Sequence, residues 1–192
     1  MALRVTGGRL RGRGLGSPRG SLVRPTSSRV RESLFSILGQ DLSALHVLDL
    51  FAGVGTLGLE AGSRGAASVT FVEKDRRHAE WIERNSSMLD DEVECRVMRM
   101  DVGRGLRLLQ GQGDRFDLVF LDPPYEQGLA LQTLERLAEP LEPVLGDGAR
   151  VVVETAHRET LPLAMGRLVL DGKERTYGST KLTLYRQEEA VA

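Results

Sequence analysis

Five short apolar runs recur along the chain, at His46–Phe51, Ser68–Glu73, Val93–Met98, Phe116–Leu121 and Arg150–Glu154. Stretches with helical spacing separate most of them. Strands that are almost continuously apolar have no face to show to water. When they alternate with helices, the solution is an α/β body whose parallel sheet is covered on both sides. The spacing predicts helices over Thr56–Ser63, Arg76–Leu89 and Leu129–Leu137, a short turn near Gly103–Leu109 and a short piece near Arg158–Met165. Another helix begins after an N-cap at Ser27 or Ser28 and stops near Leu38, before Gly39. The tail departs from the alternation. Leu168–Leu170 and Leu182–Tyr185 read as a closing antiparallel pair. At 192 residues and 41% apolar content, the chain is sized for one ordinary core without staples.

Charge is unevenly placed. Residues 1–40 hold eight arginines (Arg4, Arg9, Arg11, Arg13, Arg19, Arg24, Arg29 and Arg31) against Glu32 alone. That segment therefore carries +7, leaving −8 of the net −1 for the remainder. Arginines interleaved with glycines, as in Gly7-Gly8-Arg9-Leu10-Arg11-Gly12-Arg13-Gly14, suit a strip that follows phosphates. Residues 1–24 are thus expected to form an extended or hairpin-like basic arm rather than a packed element, with residues 25–192 as the body. Arg9, Arg11, Arg13, Arg24, Arg29 and Arg31 are the candidate nucleic-acid contacts. The single Cys95 excludes an internal disulfide and suits a reducing, cytoplasmic setting. His46, His78 and His157 lack ligand spacing, so no metal is expected. No segment has the length and apolarity of a membrane span or signal peptide.

Two segments carry chemistry. Phe116–Leu121 runs into Asp122-Pro123-Pro124-Tyr125, and the prolines end the strand. A carboxylate, a backbone carbonyl and an aromatic ring are left at a strand's carboxyl end, where open α/β sheets bind ligands. Asp122 and the Pro123 carbonyl can accept two N–H bonds from a planar amine while Tyr125 covers the ring face. The other segment, Val47-Leu48-Asp49-Leu50-Phe51-Ala52-Gly53-Val54-Gly55-Thr56-Leu57-Gly58, is a strand, a glycine turn and a helix start. Gly53, Gly55 and Gly58 match the dinucleotide pattern G-x-G-x-x-G, which leaves a nicotinamide-dependent oxidoreductase as one alternative. Asp49, four residues before Gly53, opposes a pyrophosphate but suits a ligand carrying an ammonium and a sulfonium. Glu73 falls twenty residues after Gly53, the place for an acid that binds ribose hydroxyls, and serves either cofactor. Asp101 and Val102 follow the third strand and offer an acid and an apolar neighbour to an adenine.

Asp49…Gly53-Val54-Gly55, Glu73, Asp101 and Asp122-Pro123-Pro124-Tyr125 resemble the ordered motifs of class I S-adenosylmethionine-dependent amino-methyltransferases. Arg24 to Phe35 and Leu57 to Ala66 narrow the resemblance to the RsmD family of bacterial 16S rRNA (guanine-966-N2)-methyltransferases, over nearly the whole chain. The resemblance implies a Rossmann-like α/β domain with a seven-stranded, mostly parallel sheet, an antiparallel last strand and a basic N-terminal arm. It implies S-adenosylmethionine as methyl donor, S-adenosylhomocysteine as product, and guanine N2 of small-subunit rRNA as acceptor, within an assembling 30S particle, by a monomer. Carried over residue by residue, Gly53 and Gly55 lie against the methionine portion, Glu73 on the ribose, and Asp101 with Val102 at the adenine. Asp49 and Phe51 complete the cofactor set together with Asp122. Asp122, Pro123, Pro124 and Tyr125 hold the target base. Another RNA or DNA base is the alternative acceptor.

Overall fold

The computed structural model describes residues 3–18, 26–89, 91–139 and 144–188. Two compact units divide the chain at Asp101/Val102. The first holds helices α1 (Ser28–Leu38), α2 (Thr56–Ser63) and α3 (Arg76–Ser86), with strands β1 (His46–Leu50), β2 (Ser68–Val72) and β3 (Glu94–Met98). β2 pairs in parallel with both β1 and β3, so β2 is the middle of the three. Val47, Leu48, Leu50, Val69, Phe71 and Val72 are buried, as alternating strands and helices require. The helix starts are chemical. Ser27 Oγ accepts from Val30 N, and Asp75 Oδ1 accepts from His78 N. Bonds from His78 and Arg77 hold the Asp75 carboxyl below its usual range. α3 stops three residues before the expected Leu89. Ser86 Oγ and Ser87 Oγ donate back to Glu83 O and Arg84 O, which competes with further helical turns.

The N-terminal segment is a hairpin. Val5 N donates to Arg13 O, Gly12 N to Val5 O and Leu15 N to Leu3 O. It is packed, contrary to the expectation of a loose arm. Arg9 N donates to Ser63 O, Leu10 N to Ser63 Oγ, and Ser63 Oγ in turn donates to Gly7 O. At its other end, Gly16 N donates to Asn85 Oδ1, and Asn85 Nδ2 returns a bond to Gly16 O. Val5 and Leu15 are buried. The glycines that suggest pliability serve close approach instead. A Cβ on Gly8, which has φ +71°, would lie 1.9 Å from Ser63 O.

The second unit holds α4 (Val102–Gln112), β4 (Phe116–Leu121), α5 (Leu129–Leu137), β5 (Leu145–Ala156), β6 (Ala164–Met165), β7 (Leu168–Leu170), β8 (Arg175–Tyr177) and β9 (Thr180–Gln187). β4 and β5 are parallel; β9 runs antiparallel to β5 and also pairs antiparallel with β7 and β8. The reversed last strand and the Leu168–Leu170 partner match the expected tail. The short turn expected near Gly103–Leu109 is a full helix despite three glycines, since Val102, Leu106 and Leu109 bury one face at i, i+4 and i+7. The helical piece expected near Arg158–Met165 is absent. Pro162 interrupts it, and Leu170 N donates to Leu163 O, so the segment closes as the β6–β7 hairpin. Among the described residues, β6 and β8, of two and three residues, bring the seven expected strands to nine.

Candidate functional site

The glycine loop of the first unit is braced by its own carboxylates. β1 delivers Asp49 into the interior, 2% exposed, where Oδ2 accepts from Gly58 N at 2.8 Å. Gly58 lies in the first turn of α2, so Asp49 satisfies an N–H that the helix cannot pair itself. Burial outweighs that bond, and with the nearby Glu73 charge it raises the Asp49 carboxyl to about 8. Glu73, also buried, bridges the same loop: Oε2 accepts from Gly53 N and Oε1 from Asp75 N, both at 2.8 Å. A carboxylate oxygen has two lone pairs, so these bonds leave Glu73 able to accept ribose hydroxyls.

Phe51, between β1 and the loop, has φ +59°, a conformation costly for a bulky residue. Gly53 and Gly55 also have positive φ, at 57° and 83°. Gly58 is required for packing, because a Cβ there would stand 2.4 Å from Phe71 Cε1. The loop thus does what the glycine pattern implies, a tight turn and a close helix–strand contact. Asp101 is exposed and Val102 is buried.

In the second unit β4 ends at Leu121, and Asp122 and Tyr125 are half-buried, Pro123 buried and Pro124 exposed. The Tyr125 hydroxyl lies 2.8 Å from Glu154 Oε1 and 3.0 Å from Thr180 Oγ1. Its pKa is pushed up by burial first and by the Glu154 charge second, so the phenol stays protonated. Glu126, the next residue, has φ +60° and is tied by N–H to Glu159 Oε1 and by an ion pair to Arg158. Strained non-glycine backbone thus recurs beside each motif.

The basic residues divide. Arg11, Arg13 and Arg29 are exposed. Arg9 is exposed and ion-paired with Glu92 at 3.2 Å. Arg24 lies outside the described residues. Arg31 is a correction. It is 1% exposed, pairs through Nε with Glu60 at 3.2 Å, and donates to Thr26 O and Arg4 O. Glu60, wholly buried, also binds Arg64 and accepts from Thr6 N. Arg31 therefore joins the hairpin and α1 to α2 and presents no charge to a nucleic acid. Among the described residues, no cluster of His, Cys, Asp and Glu is grouped to hold a metal, and no helix is long and apolar enough to cross a membrane.

Sequence reasoning did not single out Glu60, which binds Arg31 and Arg64, or Glu154 and Thr180, which bond the Tyr125 hydroxyl. The signal for Glu154 was present: an acid closing the apolar run of β5, in the same position as Asp122 after β4.

The fold is that of class I S-adenosylmethionine-dependent methyltransferases. The Escherichia coli protein yhhF, to which a methyltransferase activity has been attributed, superposes with a TM-score of 0.82 at 35% identity, over 98% of this chain and 99% of that one. A hypothetical protein of Thermus thermophilus gives 0.78 at 33% identity, over 94% and 97%. The chain belongs to the family described as Conserved hypothetical protein 95, whose model matches residues 3–186. Relatives named ribosomal RNA small subunit methyltransferase D include one from Escherichia coli K12, 34% identical over 97% of this chain and 90% of its own length. Another, from Haemophilus influenzae, is 36% identical over 96% and 93%. The family foreseen from the motifs is thereby established.

Proposed function

We propose that the chain transfers a methyl group from S-adenosylmethionine to N2 of a guanine in small-subunit rRNA, guanine 966 by family resemblance, during ribosome maturation. The observation that carries the reading is Asp122-Pro123-Pro124-Tyr125 at the end of β4, with the Tyr125 hydroxyl already engaged by Glu154 and Thr180. The names of the full-length relatives support rRNA as substrate. The glycine loop fits the cofactor: Asp49 caps the helix start that faces it, Glu73 beside the turn keeps lone pairs for ribose, and small residues allow close approach.

When bound, the cofactor supplies an electrophilic sulfonium methyl that passes in line to the amine nitrogen, leaving S-adenosylhomocysteine. This chain's residues supply the positioning. Guanine N2 is a weak nucleophile because its lone pair is delocalised into the ring. Hydrogen bonds from N2 to Asp122 and the Pro123 carbonyl favour a pyramidal nitrogen, and the Asp122 charge stabilises the positive charge that develops there. Asp122 then takes the proton released by the methylated amine. The base leaves its stack at a cost of a few kcal/mol, and stacking on Tyr125 returns about 1–3 kcal/mol. Arg11, Arg13 and Arg29, with Arg9 and Arg24, bind phosphates without reading sequence. An oxidoreductase is the weaker reading, since Asp49 Oδ2 already takes the Gly58 N–H at the start of α2, a donor that a pyrophosphate would use.

The test is mass mapping of small-subunit rRNA from cells with and without the gene, complemented with wild type or Asp122→Ala. Loss of one N2-methylguanine without the gene, restored by wild type only, is expected. Restoration by Asp122→Ala refutes the role given to that residue. An unchanged methylation map without the gene refutes the substrate.

A further inference from the structure

We propose that Glu154 and Thr180 are positioning residues for methyl transfer, fixing through the Tyr125 hydroxyl the position of the ring that covers the target base. The proposal rests on the reading above, in which Tyr125 stacks on the base.

A phenol has one proton to donate and lone pairs to accept with. The Tyr125 O–H donates to Glu154 Oε1 at 2.8 Å. The bond between Tyr125 and Thr180 at 3.0 Å then has one assignment: Thr180 Oγ1–H donates to the phenolic oxygen. Both bonds end on well-held groups. Glu154 and Thr180 are 5% and 7% exposed, on adjacent antiparallel strands in which Glu154 is paired with Leu182 and Ala156 with Thr180. The strand beyond is anchored as well, since His157 N donates to Ser179 O. The hydroxyl is therefore tethered from two sides at the tip of the ring, while Pro123 and Pro124 restrict the backbone at its root. A tyrosine tethered at both ends keeps its ring in place with less loss of side-chain entropy on binding the base.

The arrangement also removes the phenol from acid–base duty. Its proton is committed to Glu154, and burial beside that carboxylate opposes ionisation. What Tyr125 contributes is a surface, and Glu154 and Thr180 fix where that surface lies. A phenylalanine in its place would keep the ring but lose both tethers.

The experiment measures kcat, and KM for RNA, with full-length protein on small subunits from cells lacking the gene. The variants are Tyr125→Ala, Tyr125→Phe, Thr180→Val, Thr180→Ser, Glu154→Ala, Glu154→Gln and Tyr125→Phe combined with Thr180→Val. Thr180→Val and Tyr125→Phe are each expected to lower kcat about tenfold, the scale of one strong hydrogen bond, with KM changed less than about twofold. Thr180→Ser, which keeps a donor to the phenol, and Glu154→Gln, which keeps an acceptor, retain most of the rate. Thr180→Val adds nothing once Tyr125 is phenylalanine, because the group it acts through is gone. Independent losses that multiply in the double variant overturn the proposal, as does full kcat in Tyr125→Phe when Tyr125→Ala is impaired. Full activity in Tyr125→Ala instead overturns the stacking reading beneath it. If Glu154→Ala fails to fold, the Thr180 cycle alone decides.

Discussion

Asp49→Asn offers a direct test of how the glycine loop is held. The asparagine amide oxygen can still accept from Gly58 N–H, so the cap at 2.8 Å survives while the titrating proton is removed. In the wild type, burial raises the Asp49 carboxyl from 3.8 to about 8. The folded protein then holds a proton between about pH 4 and 8 that the unfolded chain has released. Stability from this group is fully present below the unfolded value and is lost as pH rises through the folded one. Each unit within that window is worth about 1.4 kcal/mol. With the folded value near 8, the loss between pH 6 and pH 8 comes to about 2 kcal/mol, which for a domain of this size corresponds to roughly 4–8 °C in Tm. The assay is thermal or urea unfolding of both proteins at pH 6, 7 and 8 without ligand. Other titrating groups are common to both and cancel in the difference. Asp49→Asn should gain on wild type steadily as pH rises, by about 2 kcal/mol over the interval. A difference independent of pH refutes the buried, proton-holding carboxyl. The same variant should bind S-adenosylhomocysteine at least about tenfold more weakly above pH 8, where only wild type offers an anion.

The buried pair around Glu60 is expected to be structural. Arg31→Ala should cost about 3 kcal/mol in urea unfolding, because it leaves a buried carboxylate short of a partner; a loss below about half a kcal/mol would refute that role. Gly58→Ala places a Cβ 2.4 Å from Phe71 and 2.8 Å from Val69 Cγ1, and overpacking of that kind costs about 1–3 kcal/mol. An unchanged melting temperature would contradict it. Arg11→Ala with Arg13→Ala should weaken rRNA binding and reduce the slope of log affinity against log salt by roughly 1–2, with unfolding unchanged. An unaltered slope would remove those arginines from the interface.

What the sequence disclosed follows from the range of the interactions. The strands and most helices were legible because apolar periodicity and caps act within a few residues. Ser27, Asp75, Pro123 and Pro124 each do locally what their chemistry implies. The glycine loop was legible for the same reason. Arg31 and the packing of the hairpin were not. In composition an arginine that binds phosphate and one that binds a buried carboxylate are identical; the difference lies in Glu60, twenty-nine residues away and hidden in α2. The Gly7-Gly8 pair was read only as part of a phosphate-following strip, whereas its small size admits Ser63, fifty-six residues distant from Gly7. The Tyr125 tethers come from Glu154 and Thr180, which no local pattern joins to the motif.

The first unit shows why its acids were legible as ligand candidates even though each is engaged with protein. Asp49 and Glu73 both accept backbone N–H groups of the segment 53–58, one at the helix start and one at the turn. Glu73 lies close enough to Asp49 that two carboxylates there would repel, and the proton that Asp49 keeps to about pH 8 relieves part of that. Backbone donors offset part of that repulsion and fix the turn beforehand, so binding orders little. The same bonds explain the strained φ at Phe51, which is kept because Asp49 on one side and Gly53 on the other are both anchored. Rigidity for the turn thus comes from one pair of side chains. Replacing either acid should therefore change stability and affinity together, in opposite directions for Asp49→Asn and in the same direction for Glu73→Ala.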